Sequence, residues 1–456
     1  TKPKPTSKPT ATTKPDNQTD GTKAEWAYKK FPIREIILGS NDPAKKYKLQ
    51  VQLTNIAAAI KTTKLTDYFF TVKDKKLCKK LKNHKEYLEQ VKKNPKLKGH
   101  YSLLNPVNFD GGKIHPFATR RITFYIDSRE VHIDLSGPFW RLTNVRKDKD
   151  GTNTAATFTC TIYRNSKPFV RLLKTYTIRP KSTNPADRCY SIDVKLEVIN
   201  LSKQKVKFSL WQFAATGVPR EDIQSDNRMI AYGHIEGGEG FKVETLSLKD
   251  LGKMELLTAS LENLRYLGKS DSSDAGLWIG QINKFFAALA YIIPQDASSL
   301  SAPLARANFF TAALQETPTS RTFLSGMTFG PFEINASQNK SIHIDFFVGP
   351  KKRKLFNTTP LYAKLHYKKT LRFGSCCTFA PLTLGMMWLM DLFSKITLGN
   401  YGMAIILLVV LVRIALHPLT RKGQVSMSRM QKLAPEMAKI REKYADDKLS
   451  LIHISE

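Results

Sequence analysis

Residues 401–419, YGMAIILLVVLVRIALHPL, contain no acidic residue and a single permanent charge, Arg413. A run this long and apolar spans a bilayer only as a helix, because lipid offers no partner to an open backbone N–H or C=O. A guanidinium near the centre of such a span costs about 2.5–3.5 kcal/mol on insertion scales. Arg413 lies six residues before Leu419. It therefore either snorkels to the nearer headgroups or faces a water-filled groove.

The flanking charges orient the span. Arg421, Lys422, Arg429 and Lys432 follow it, whereas only Lys395 stands close on the other side. Lys and Arg excess marks the cytoplasmic flank, so 420–456 is expected inside and the preceding domain outside, even though that domain is itself basic. The same basic residues read as anchors to anionic lipid, with ribosomal RNA as a further polyanion of the right sign. Within 420–456, Met430, Leu433, Met437, Ile440 and Tyr444 recur at alternating spacings of three and four, one seam of a coiled coil. Such a seam needs a partner helix, and none follows before Glu456, so the chain reads as a truncated piece. Pro435 is expected to kink this arm. Met427, Met430 and Met437 are either buried seam residues or adaptable contacts for a partner surface.

Upstream, FAPLTLGMMWLMDLFSKI (379–396) is helical in composition, with Pro381 suited to a first turn and Asp391 and Lys395 one turn apart. Its charges make it a poor span. It reads as an amphipathic helix over 373–396 lying at the membrane interface, with Trp388 at headgroup depth; a second short span is the competing reading. LGNYG then breaks the chain before a transmembrane helix over 398–419.

Residues 31–371 have a different texture. YKLQVQLTN, RRITFYID, TAATFTCTIY, CYSIDVKLEVIN, VKFSLWQF, GFKVETLSL and KSIHIDFFVG each carry β-branched or aromatic residues at alternate positions. In SIDVKLEVIN, Ile192, Val194, Leu196 and Val198 share one face and Asp193, Lys195 and Glu197 the other. Repeated half-buried antiparallel strands over such a length imply a large β-sandwich. Short helices are expected in the basic insertion 72–98 and in 278–292. The opening Thr/Lys/Pro-rich stretch, 1–30, reads as a disordered linker. Apolar residues make up 41% of the chain, enough for a substantial core, while the net charge of +33 favours anionic partners.

Chemical motifs are sparse. The five cysteines, Cys78, Cys160, Cys189, Cys376 and Cys377, form no C-x-x-C pair, so neither a metal site nor a cofactor is expected. A disulfide among the first three stays open, and Cys376 and Cys377 read as unpaired. No phosphate-binding loop, H-E-x-x-H or G-x-S-x-G motif occurs. His115, His132, His234 and His343, with Glu236, Glu239 and Asp345, form no recognisable acid–base constellation, and the chain is expected not to be an enzyme.

The stretch GNYGMAIILLVVLVRIALHPLTRKGQVSMSRMQKLAPEMAKIREKYADDK closely resembles the first core helix and cytoplasmic arm of YidC-type membrane protein insertases. The family pattern is met by Gly399, Asn400, Gly402, Arg413, Pro418, Leu419, Thr420, Ser426, Met427, Met430, Leu433, Pro435 and Glu436. LGSNDPAKKYKLQVQLTNIAAAI, ATGVPRE, LWIGQINKFFAALAYI and FFVGPKKRKLF resemble landmarks of that family's periplasmic domain. Ala57 stands where the family commonly has Gly. The resemblance implies a mutarotase-like β-sandwich in the periplasm and a multi-pass full-length protein in a Gram-negative-type inner membrane. It implies a polar groove in which Arg413 attracts the polar segment of a client chain. The implied partners are nascent inner-membrane proteins, the Sec translocon, the ribosome and the anionic bilayer. Two other readings remain: a singly anchored β-sandwich that binds periplasmic partners or glycans, and a membrane-tethered sugar-active enzyme.

Overall fold

A computed structural model describes residues 25–81, 83–109, 112–182, 184, 187–222, 224–236, 240–251, 265–267, 275–294, 307–317, 320–371 and 380–443. It divides into two compact units, Thr1–Leu371 and Arg372–Glu456. Most of the expected linker and both Cys376 and Cys377 lie outside the described residues.

The first unit is a β-sandwich built from the alternating segments. Along Ser191–Asn200, Ile192, Val194, Leu196 and Val198 are at most 2% exposed, while Asp193, Lys195 and Glu197 are half-buried. Each inward side chain contributes about 1.5–3 kcal/mol of transfer free energy, before the entropy of ordering it is subtracted. This strand pairs antiparallel with Lys167–Ile178 on one side and Asn339–Pro350 on the other. Among the described residues these belong to a ten-stranded sheet. A facing six-stranded sheet contains Thr119–Ile126, Val206–Thr216 and Ser320–Ile334. Phe124 and Phe208 of the second sheet share one core with Phe158 and Ile192 of the first. Two packed antiparallel layers around one apolar core are the sandwich that the alternation implies.

Two sequence expectations need correction. The ordered unit begins before residue 31, since Trp26–Tyr28 forms an edge strand against Ile162–Arg164. Its anchor is aromatic: the Trp26 ring stacks on Phe124 at 5.4 Å and meets Phe169 edge-on at 5.3 Å. The stretch 278–292 is not helical. Ala275–Ile282 and Phe286–Ile293 are adjacent strands of the large sheet. Their many Ala and Gly residues favour no strand locally, but both faces of Phe286–Ile293 are covered by protein, so the usual alternation is missing.

A smaller four-stranded sheet contains Glu35–Gly39, Leu49–Thr54, Ala59–Phe69 and His100–Leu104. In the turn leading into its third strand, Ala57 and Ala58 have φ of 56° and 44°. Ala57 thus occupies a left-handed conformation that costs an L-residue about 1–2 kcal/mol and would be free for glycine. Between the last two strands, the basic insertion folds into the helices Val72–Lys80 and His84–Lys93. Thr71 Oγ1 accepts from Asp74 N at 3.1 Å and Asn83 Oδ1 from Lys85 N at 3.0 Å, so both helices start on a side-chain cap. Lys73, Lys75, Lys79, Lys85 and Lys92 are exposed, as a solvated basic face requires.

Candidate functional site on the apolar helix

The second unit contains the helices Ala380–Ile396 and Tyr401–Lys443, which touch one another. The join explains the Gly-Asn-x-Gly pattern. Leu398 and Gly399 take φ of 53° and 83°, and Gly399 N donates to Ser394 O at 2.7 Å while Leu398 N donates to Lys395 O at 3.3 Å. These are the two bonds that close a helix end in a left-handed cap. Asn400 then opens the next helix: its Oδ1 accepts from Gly402 N at 3.1 Å and Met403 N at 3.4 Å. A Cβ on Gly402 would lie 3.3 Å from that same oxygen, so the glycine keeps the cap uncrowded.

Tyr401–Lys443 continues through Pro418 and Pro435, so the apolar span and the arm beyond it are one helix of 43 residues. At 1.5 Å per residue this is about 65 Å, roughly twice the thickness of a hydrocarbon core. Neither proline ends it. Thr420 Oγ1 donates to Leu416 O at 3.0 Å in the turn around Pro418.

Ala404 and Leu408, one turn apart, are the buried residues of the span. Arg413 is exposed and, among the described residues, has no ion-pair or hydrogen-bond partner. At about 100° per residue it lies roughly 160° around the helix from the Ala404–Leu408 side. His417, Thr420 and Gln424 follow it at i+4, i+7 and i+11, all exposed. Within the apolar span this face is polar at Arg413 and His417, and Thr420 and Gln424 continue the stripe into the basic arm. The sequence marked Arg413 by its charge and Thr420 only through the family pattern. The other three were legible as a period-3.6 set, but uncharged polar residues beside a basic flank attract no attention by composition.

The remaining candidates lie along the same unit. Met427, Met430 and Met437 are 63%, 68% and 41% exposed, and Leu433 is exposed with them. The seam is thus uncovered over its described part; Tyr444 and the side chain of Ile440 lie outside the described residues. Arg421, Lys422, Arg429 and Lys432 are exposed. Trp388 is exposed on the shorter helix together with Met387 and Ile396. Asp391 and Lys395 both face outward without closing an ion pair.

His115, His132, His234 and His343 are held by different segments of the β-sandwich. His132 Nδ1 meets Thr123 Oγ1 at 2.9 Å, and His234 Nε2 lies 3.8 Å from Glu244. His343 pairs across the sheet with Lys195, and His115 sits near Lys61 and Glu35. Asp345 is buried against Arg188 and Ser191 instead. Glu239 and the side chain of Glu236 lie outside the described residues. What the fold does gather is a trio of residues that sequence reading did not connect: a ring nitrogen of His84, one of His100 and Cys78 Sγ lie within 4.8 Å of one another.

Comparison with known proteins bears on both units. The family model "YidC periplasmic domain" matches residues 140–389, more than half of the chain, and the model "60Kd inner membrane protein" matches 392–453. The membrane protein insertase YidC of Brucella melitensis is 26% identical over 363 residues, covering 76% of this chain and 55% of that protein. That of Syntrophobacter fumaroxidans is 25% identical over 282 residues, covering 61% and 43%. The chain spans about half the length of the curated relatives it matches. Among solved structures, a galactose mutarotase related enzyme from Lactobacillus acidophilus covers 69% of this chain and 97% of its own, at 8% identity and a TM-score of 0.39. An active YidC insertase crystal structure with the first transmembrane domain resolved covers 94% and 67%, at 14% identity and a TM-score of 0.27. Those scores are too low to bear on the architecture. The two family models, read with the antiparallel sandwich and the apolar helix that follows it, establish that this inner-membrane chain with a periplasmic β-domain belongs to the YidC membrane protein insertase family.

Proposed function

We propose that this chain supplies the periplasmic sandwich and the Arg413 helix of an insertase that delivers and folds inner-membrane proteins. The observation that carries this reading is the polar stripe headed by Arg413. A guanidinium with no partner among the described residues, on a helix long enough to cross a membrane, is costly in lipid. It becomes useful where water reaches it and a client's polar or acidic segment needs a counter-charge while crossing. No covalent bond changes, so no nucleophile or general base is required. The client's apolar helix moves into lipid by its own transfer free energy.

The other residues take supporting parts. Trp388 anchors the Ala380–Ile396 helix at the interface. Arg421, Lys422, Arg429 and Lys432 hold the cytoplasmic arm to anionic lipid and offer charge to a ribosome. Met427, Met430 and Met437 give the arm an apolar stripe for a partner helix or a client. Action alone or beside the Sec translocon belongs to this proposal. The separation of His115, His132, His234 and His343 gives the sugar-enzyme reading no support.

The test uses a chimaera in which the remaining length comes from the Brucella melitensis relative, in cells depleted of their own insertase. Membrane insertion of an acidic-tailed client is measured with Arg, Lys, Ala and Glu at position 413. The expected order is Arg, then Lys, then Ala, with Glu worst. Equal insertion by all four would reduce Arg413 to a snorkelling anchor and remove the groove.

A further inference from the structure

From the arrangement around His100 we infer that the periplasmic unit carries a transition-metal site of the zinc class, with Cys78, His84 and His100 as ligands. Sulfur and imidazole nitrogen are the donors that such ions prefer, and the three donor atoms already lie within 4.8 Å of one another. Around a tetrahedral ion, donors bonded at zinc distances are about 3.3–3.8 Å apart, so closure needs roughly an ångström of side-chain movement. Cys78 and His84 are only half-buried and lie at the facing ends of two helices, which leaves them room to move.

The surroundings are built for this convergence. Asp74 is fully buried one turn before Cys78, and its Oδ1 accepts from Gly99 N at 3.0 Å. That bond pins the Cys78 face of the helix beside the residue that precedes His100. His84 is oriented from its far side. Gln50 Nε2 donates to Asn41 Oδ1 at 3.1 Å, and His84 Nε2 lies 3.2 Å from the same oxygen. A carbonyl oxygen has no proton to give, so the contact requires His84 to carry its proton on Nε2. This leaves the Nδ1 lone pair bare, and Nδ1 is buried without a partner. Metal-bound imidazoles are held in this way, by a hydrogen bond from the nitrogen that does not ligate.

His100 is 2% exposed, and neither of its ring nitrogens meets a partner in hydrogen-bond geometry, although the backbone of Leu65 and Thr66 borders the ring. Buried nitrogens left without a hydrogen-bond partner call for an explanation. The ring of Tyr87, whose buried hydroxyl is also unpartnered, meets His100 edge-on at 5.6 Å. A search for paired cysteines misses this site because its ligands come from two helices and a strand.

The full chain is purified in detergent, reduced with a phosphine and stripped with a chelator. Cobalt(II) alone is then added as a spectroscopic probe, and zinc affinity is measured against a chromophoric chelator. The expected result is one ion per chain, a near-ultraviolet thiolate-to-cobalt band and tetrahedral visible bands. Cys78→Ser should abolish the thiolate band, and Cys78→Ser and His84→Gln should each weaken zinc binding by more than about 100-fold. Cys189→Ser should bind as the parent does. Near-ultraviolet circular dichroism checks that each variant is folded. No thiolate band in the folded parent, or equal zinc affinity in the parent, Cys78→Ser and His84→Gln, would overturn the site.

Discussion

Lys174 Nζ donates a hydrogen bond to the backbone oxygen of Phe117 at 2.5 Å, joining the two sheets inside the sandwich. A second bond runs to Thr119 Oγ1 at 3.0 Å, and the lysine side chain is fully buried. Burial holds its ammonium well below the usual lysine range. Both acceptors have other neighbours: Tyr176 Oη lies 3.4 Å from the Phe117 oxygen, and Thr119 Oγ1 donates to Gln212 Oε1 at 3.3 Å. Volume should therefore matter more than the amine. Lys174→Met is expected to cost less than about 1.5 kcal/mol, and Lys174→Ala about 2–5 kcal/mol, by urea unfolding of the periplasmic unit. Equal losses would place the stabilisation in the hydrogen bonds.

Asp345 supplies a pH test. It is fully buried, accepts from Ser191 Oγ at 2.9 Å and pairs with Arg188, which also faces Asp193 at 3.6 Å. Burial outweighs the Arg188 guanidinium and lifts the carboxyl to about 6. Between about pH 4 and pH 6 the folded state then holds more protons than the unfolded state, so stability from this group falls as pH rises through that window. Asp345→Asn lacks the effect. The stability of the parent relative to this variant is expected to drop by about 2–3 kcal/mol between pH 4 and pH 7, measured by denaturant titration at each pH. A flat difference would mean that Arg188 keeps the carboxylate ionised throughout.

Gly280 tests the strand assignment of 275–293. A Cβ there would meet Ala288 O at 1.9 Å and Leu289 Cα at 2.7 Å, both backbone atoms of the neighbouring strand. Gly280→Ala is expected to cost about 3 kcal/mol or more, whereas Gly240→Ala, with open space around it, should change stability by less than about 0.5 kcal/mol. If this segment were helical, the first substitution would stabilise instead.

Orientation is open to direct labelling. A membrane-impermeant thiol reagent applied to intact spheroplasts should modify Asn108→Cys above the level of the parent chain. Ser428→Cys, exposed on the arm, should stay unlabelled until the membrane is opened. Labelling of Ser428→Cys in sealed cells would invert the assigned topology.

Much of the architecture is local in origin and could be read directly. Ser191–Asn200 alternates because one of its faces is buried, and a two-residue period is visible without knowing what covers it. Phe286–Ile293 carries no such signal, since with protein on both faces its apolar run resembles a helix. Trp26 is equally silent in sequence: its strand exists because Phe124 and Phe169, far along the chain, receive the indole.

Sequence alone determined the two features that depend on solvent rather than on distant residues. The run 401–419 must be helical because lipid cannot satisfy an open backbone, and the strands of the sandwich announce themselves through alternate burial. Sequence also marked Arg413, because a fixed charge in an apolar run is unusual whatever surrounds it. Only the tertiary structure decided which residues meet. Cys78, His84 and His100 converge because the Asp74–Gly99 bond and the Asn41–His84 contact join two helices to a sheet. Lys174 reaches Phe117 because two sheets close around it. Such contacts depend on chain closure over long separations, and no periodicity in the sequence encodes that closure.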